Sequence, residues 1–140
     1  MTPEDIAGRL PQLADGPHDD DTTIALARIA AEAIRVLNHA TMAGRGGLAD
    51  PAAVSVVLGE FAAAAHRLPQ LCTQLGGWLA AEHAAGRLAH TNSDLPGALH
   101  HVTARLENAT RYAGLLGGAL DDAQQTTAGL YQPGESGEGR

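Results

Sequence analysis

The chain has 140 residues, with 9 arginines, no lysine, 16 acidic residues, a formal net charge of −7 and only four aromatic side chains, Phe61, Trp78, Tyr112 and Tyr131. That surplus of acid argues against direct binding to nucleic acid or to an anionic membrane, since both require clustered positive charge. Apolar runs fall far short of the roughly 20 residues of a membrane span, and the single cysteine, Cys72, excludes an internal disulfide and a cysteine-based zinc site.

Composition sets the fold class: 28 Ala and 18 Leu stand against few β-branched and aromatic residues, which favours helix throughout. Residues 1 to 21 are expected to form a mobile acidic arm, with a possible short helix over Pro3 to Leu13 before the Asp15-Gly-Pro-His-Asp-Asp-Asp segment. Asp21, Thr22 and Thr23 are N-cap candidates for a first long helix over about 22 to 43, which the glycines at 44, 46 and 47 terminate. Its polar residues fall on one narrow stripe, Arg28, Glu32, Arg35 and His39, with Ile24, Leu26, Ile29, Ile34, Val36 and Leu37 around the rest. A helix apolar on most sides calls for cover on most sides.

Asp50-Pro51 is a start signal for a second helix, over about 51 to 88, because proline at the first helical position has no N–H to leave unsatisfied. Val54, Leu58, Phe61, Ala65, Leu68, Cys72, Leu75 and Leu79 repeat at 4-3 spacing, and the pattern passes through Pro69, where a kink or a break is expected. A short polar connection leads to Ser93 and Asp94, which can cap a third helix over about 94 to 130, with a seam at Leu95, Leu99, Val102, Leu106, Ala109, Ala113, Leu116, Leu120 and Ala123. Residues 132 to 140 read as a disordered polar tail. The expected architecture is therefore an up-down antiparallel helical bundle over 22 to 131: three long helices, the second kinked or broken near Pro69 to give a four-helix-like bundle, and the whole oligomeric, a homodimer.

Pairing the second and third helices about the loop near residue 91 puts positions opposite each other when their numbers sum to about 183. In that register Pro69 faces Gly114, Gly117 and Gly118, three helical glycines that each cost up to about 1 kcal/mol relative to Ala, so a close packing contact is expected there. The same register brings His83 towards His100 and His101, with His90, Glu82 and Asp94 at the same turn. Imidazoles on facing helices can hold a divalent transition metal, and these four histidines are the candidate ligands of an alternative reading as a metal sensor or store. Paired Glu-x-x-His and His-Glu-x-x-His motifs are missing.

Catalytic motifs are also missing. Without lysine there is no P-loop and no Schiff base, and no Gly-x-Ser-x-Gly elbow marks a nucleophile. Cys72 reads as a small core hydrophobe, and Glu107 with Arg111 as an exposed ion pair. Trp78 continues a row with Val57, Ala64 and Leu71 beside the seam, where a partner-binding anchor would lie, and Asp19, Asp20 and Asp21 suit a basic partner surface. The function expected from the sequence is a non-catalytic adaptor or regulatory module, dimeric and cytoplasmic, binding a protein partner, with no cofactor, nucleic acid or membrane contact.

Overall fold

The computed structural model describes residues 8 to 136, and over these the chain is all-helical with no strand. The helices are α1 (Leu10–Leu13), α2 (Asp20–Ala40), α3 (Pro51–Ala84), α4 (Leu95–Thr127) and α5 (Pro133–Ser136). Most of the arm expected before residue 8, and the end of the tail, lie outside the described residues. The chain divides into two compact units at Ala49–Asp50.

In the first unit α2 starts two residues earlier than the sequence suggests. Its N-cap is Asp19, whose Oδ1 accepts from the Thr22 N–H at 2.7 Å, and Asp20 and Asp21 occupy the first turn. The expected cap residues Asp21 and Thr22 are thus already helical, because an aspartate in extended backbone accepts from an N–H three residues on, and Asp19 has that geometry. The Asp19 carboxyl is held below the usual aspartate range, first by the hydrogen bond from the Thr22 backbone. Such a group stabilises the folded form above the unfolded aspartate value of about 4 and ceases to do so as pH falls through its own lowered value. Far-UV circular dichroism should therefore show an acid-side loss of helix in the natural chain that is reduced in Asp19→Asn, whose amide caps without titrating.

On α2 the polar stripe is an exposed ladder. Arg35 donates through Nε to Glu32 at 2.9 Å and through a second nitrogen at 2.5 Å, and its third nitrogen lies 3.3 Å from His39. The Arg35 bonds lower the Glu32 carboxyl. Ile24, Ile34 and Val36 are about half exposed, and Thr22 alone among the residues of α2 is buried. Gly44 and Gly46 take positive φ in the turn that ends the unit, a backbone region costly for residues with a Cβ.

The second unit is a helical hairpin. Asp50 caps α3 through the Ala53 N–H at 2.9 Å with Pro51 at the first position, as the sequence predicts. Replacing Asp50 with Ala should cost about 1 kcal/mol, read as a lower urea midpoint with an unchanged slope. The helix then runs unbroken through Pro69 for 34 residues, about 50 Å at 1.5 Å per residue, so at Pro69 the chain does not divide. Gly86, at positive φ, ends it, with the Gly86 and Arg87 N–H groups returning to His83 and Glu82. Arg87 also clasps the Glu82 carboxylate at 2.7 and 2.8 Å. Asp94 caps α4 through the Gly97 N–H.

Contacts between Ser55 and Gln124, His66 and Gly117, and Gly76 and Leu106 fix α3 and α4 as antiparallel neighbours in the expected register. Their contact line follows part of the 4-3 seam. Ser55, Ala62 and Ala65 of α3 and Ala113 and Gly117 of α4 are buried, the seam residues Leu58, Phe61, Leu79, Leu99, Leu106 and Leu120 are half-buried, and Leu68, Leu75 and Leu116 are exposed. Small side chains let two helices approach closely where the alanines and Gly117 meet. Beyond Thr22 and Ser55, the buried positions with a hydrophobic side chain are Ala62, Ala65 and Ala113.

Candidate functional site

The hairpin has two different flanks. A helix turns by about 100° per residue. Measured from the contact line through Ala62 and Ala65, His66, Thr73, Gly77 and Ala80 fall on one side of α3 and Leu68 and Leu75 on the other, while Leu71 and Trp78 lie near the face turned away from α4. In an antiparallel partner the same offset lies on the same flank, which places Asp121, Thr103, Glu107 and Thr110 with the first group and Tyr112 and Leu116 with the second, while Leu115 lies on the face turned away from α3.

On the polar flank His66 crosses to α4. Its Nε2 lies 2.7 Å from Asp121 Oδ2, and its ring fills the notch left by Gly117. A Cβ built at Gly117 would meet the ring atoms Cε1, Nδ1 and Nε2 at 2.6, 2.7 and 2.9 Å. One turn further on, Gln124 donates to Ser55 Oγ at 3.3 Å. Of the three glycines expected to admit the backbone at Pro69, only Gly117 has such a neighbour; Gly114 and Gly118 face open space. The space beside Gly117 is filled by the imidazole at the facing position of α3. The sequence reading missed His66. The signal was available in the pairing register, which sets this histidine opposite a helical glycine.

Farther along the same flank, Gly76, Gly77 and Ala80 leave an open groove of about 370 Å³ between the helices. Cys72, expected in the core, is half-buried and lines this groove instead. Among the described residues the expected Glu107–Arg111 pair does not form: Arg111 donates to Asn108 at 3.1 Å and lies 5.2 Å from the Tyr112 ring centre, and Glu107 makes no ion pair with another described residue.

The apolar flank carries Leu68 and Leu75 of α3 and Tyr112 and Leu116 of α4, from 42% exposed at Leu68 to 59% at Tyr112. Leu71 and Trp78, singled out in the sequence as partner-binding candidates, are exposed near the outer face of α3. Asp19, from the same set, is occupied as the α2 cap.

The four candidate metal ligands are spread around the interhelical turn. His83 is in the last turn of α3, His100 and His101 are exposed on α4, and His90 accepts from the Asn92 N–H at 3.2 Å. Glu82 is engaged by Arg87. Among the described residues no group of three or more His, Cys, Asp or Glu side chains is placed to hold a metal ion. No helix of the described residues is long and apolar enough to cross a membrane. Comparison of the chain with protein-family models, with characterised proteins and with solved structures gives no match.

Proposed function

We propose that the protein is a non-catalytic helical interaction module that works as a homodimer, the two copies joined through the apolar flank of the α3–α4 hairpin, and that it serves as an adaptor or regulatory subunit for a protein partner. The observation that carries this reading is the pairing of a hairpin contact line packed through Ala62, Ala65 and Ala113 with one flank that leaves Leu68 and Leu75 of α3 and Tyr112 and Leu116 of α4 exposed.

The leucines of this flank are apolar surface that one hairpin leaves in water and a partner would cover, at about 25 cal/mol per Å². Exposed apolar surface gathered on one side of such a scaffold marks an interaction site. A second copy suits it because Leu68, Leu75, Tyr112 and Leu116 carry no charge, and a two-fold interface requires only that the patch meet itself. Two hairpins joined in this way form a four-helix bundle, whose leucines then occupy the core that the 4-3 pattern anticipates.

Light scattering coupled to size exclusion tests this reading. The expected mass at micromolar concentration is twice the 14.4 kDa of one chain, and a mass of one chain across the accessible range overturns it.

A further inference from the structure

The groove on the opposite flank from the proposed dimer contact has a composition that points to a ligand of its own. Its floor is apolar, from Cys72, Gly76 and Leu106. A Cβ on Gly76 would touch Leu106 at 3.4 Å, while one on Gly77 would meet nothing, so Gly76 brings the helices together and Gly77 opens the wall. Three threonines, Thr73, Thr103 and Thr110, line the groove. Elsewhere in the chain Thr23, Thr41, Thr126 and Thr127 each return their hydroxyl to a carbonyl four residues back in the helix. Among the described residues the three groove hydroxyls make no such bond, so their hydrogen-bonding capacity remains available at the groove. Glu107 is the one carboxylate of the lining, and its sequence neighbour Arg111 is turned away to Asn108 and Tyr112. By contrast Glu32 and Glu82 are each clasped by arginine.

We propose that this groove binds a small organic cation, a protonated amine carrying a hydrocarbon body. The hydrocarbon would lie on Cys72, Gly76 and Leu106, the ammonium against Glu107, and its remaining N–H donors on the threonine hydroxyls. The volume is that of a site for a small organic molecule. The chain's net charge of −7 draws cations and repels anions of the same size.

The single cysteine supplies the readout. Alkylation of Cys72 by iodoacetamide, a neutral reagent, is followed in the full chain with hexylammonium, 1-hexanol or hexanoate at millimolar concentration, with glutathione as the control thiol. Hexylammonium should slow alkylation of Cys72 severalfold and saturably, hexanol less, and hexanoate not at all. Glu107→Gln should raise the half-saturating concentration of hexylammonium about threefold, the range of an exposed charge pair. Gly77→Leu, which fills the open wall without meeting a neighbour, should abolish protection. Amide shifts of Gly76, Gly77 and Thr110 report the same occupancy without the thiol, so a slowly reacting Cys72 does not hide it. The proposal is overturned by the absence of saturable shifts with hexylammonium, by equal binding of hexanoate, or by affinity unchanged in both variants.

Discussion

Gly117→Ala is expected to forgo the gain of about 1 kcal/mol that alanine's better helix propensity offers. The new methyl would stand 2.6 to 2.9 Å from three atoms of the His66 ring, closer than non-bonded contact permits. The ring can leave by giving up its 2.7 Å contact with Asp121. Gly118→Ala and Gly114→Ala provide the comparison, because a Cβ there meets nothing within 4 Å, and both should gain stability by up to the propensity difference. The expected gap between Gly117→Ala and Gly118→Ala is up to about 1 kcal/mol, the most that a half-exposed pair contributes. Urea denaturation of the set measures it, and equal midpoints for the two substitutions would sink the assignment.

The His66–Asp121 pair is half exposed on both sides, where such pairs contribute less than about 1 kcal/mol. His66→Ala by itself should therefore be mild. Combined with Gly117→Ala it removes the ring that the methyl would strike, so the double variant should be more stable than Gly117→Ala alone. That sign reversal is the signature of two residues in direct contact, and additivity would place His66 elsewhere.

Local signals in the sequence were legible where they depend on one or two residues. Asp50 with Pro51, and Asp94 with Pro96, mark helix starts through hydrogen bonds and ring geometry that need no tertiary context. Asp19 was harder, because five cap-type residues, Asp19 to Thr23, follow one another and the choice depends on which residue takes extended backbone. The pairing register was legible because a short loop leaves two long helices few ways to meet. The contact line was legible in part: Ala65 and Ala113 lie on the 4-3 repeat and are buried, while Leu68 and Leu75 of the same repeat stay exposed, because a 4-3 repeat looks the same whether it faces a partner helix in the chain or one in a second copy. His66, Cys72 and Glu107 were misread or missed for a related reason. Their surroundings come from residues more than thirty positions away, and from Arg111 choosing Asn108 and Tyr112 over its neighbour one turn back.

The leucines left outside the hairpin lead to the second large expected effect, the conversion of dimer to monomer by Leu75→Glu with Leu116→Glu. Both side chains are exposed on a single hairpin, at 49% and 50%, so carboxylates there meet water in one copy and leave Ala62, Ala65 and Ala113 in contact. In a two-fold dimer every substitution occurs twice, and four carboxylates would be drawn together into an apolar surface. Burying an unpaired charge costs several kcal/mol, more than enough to move a micromolar dimer into the monomer range, since each 1.4 kcal/mol is tenfold in affinity. The mass should fall to one chain, while Gln70→Glu, outside the apolar flank, should leave it doubled. Helix content of the natural chain should drop on dilution as well, because dilution separates the two copies and each hairpin loses the cover of its partner. A double variant that keeps twice the chain mass would assign the contact to another surface, with the exposed Ile24, Ile34 and Val36 of α2 next to be tested.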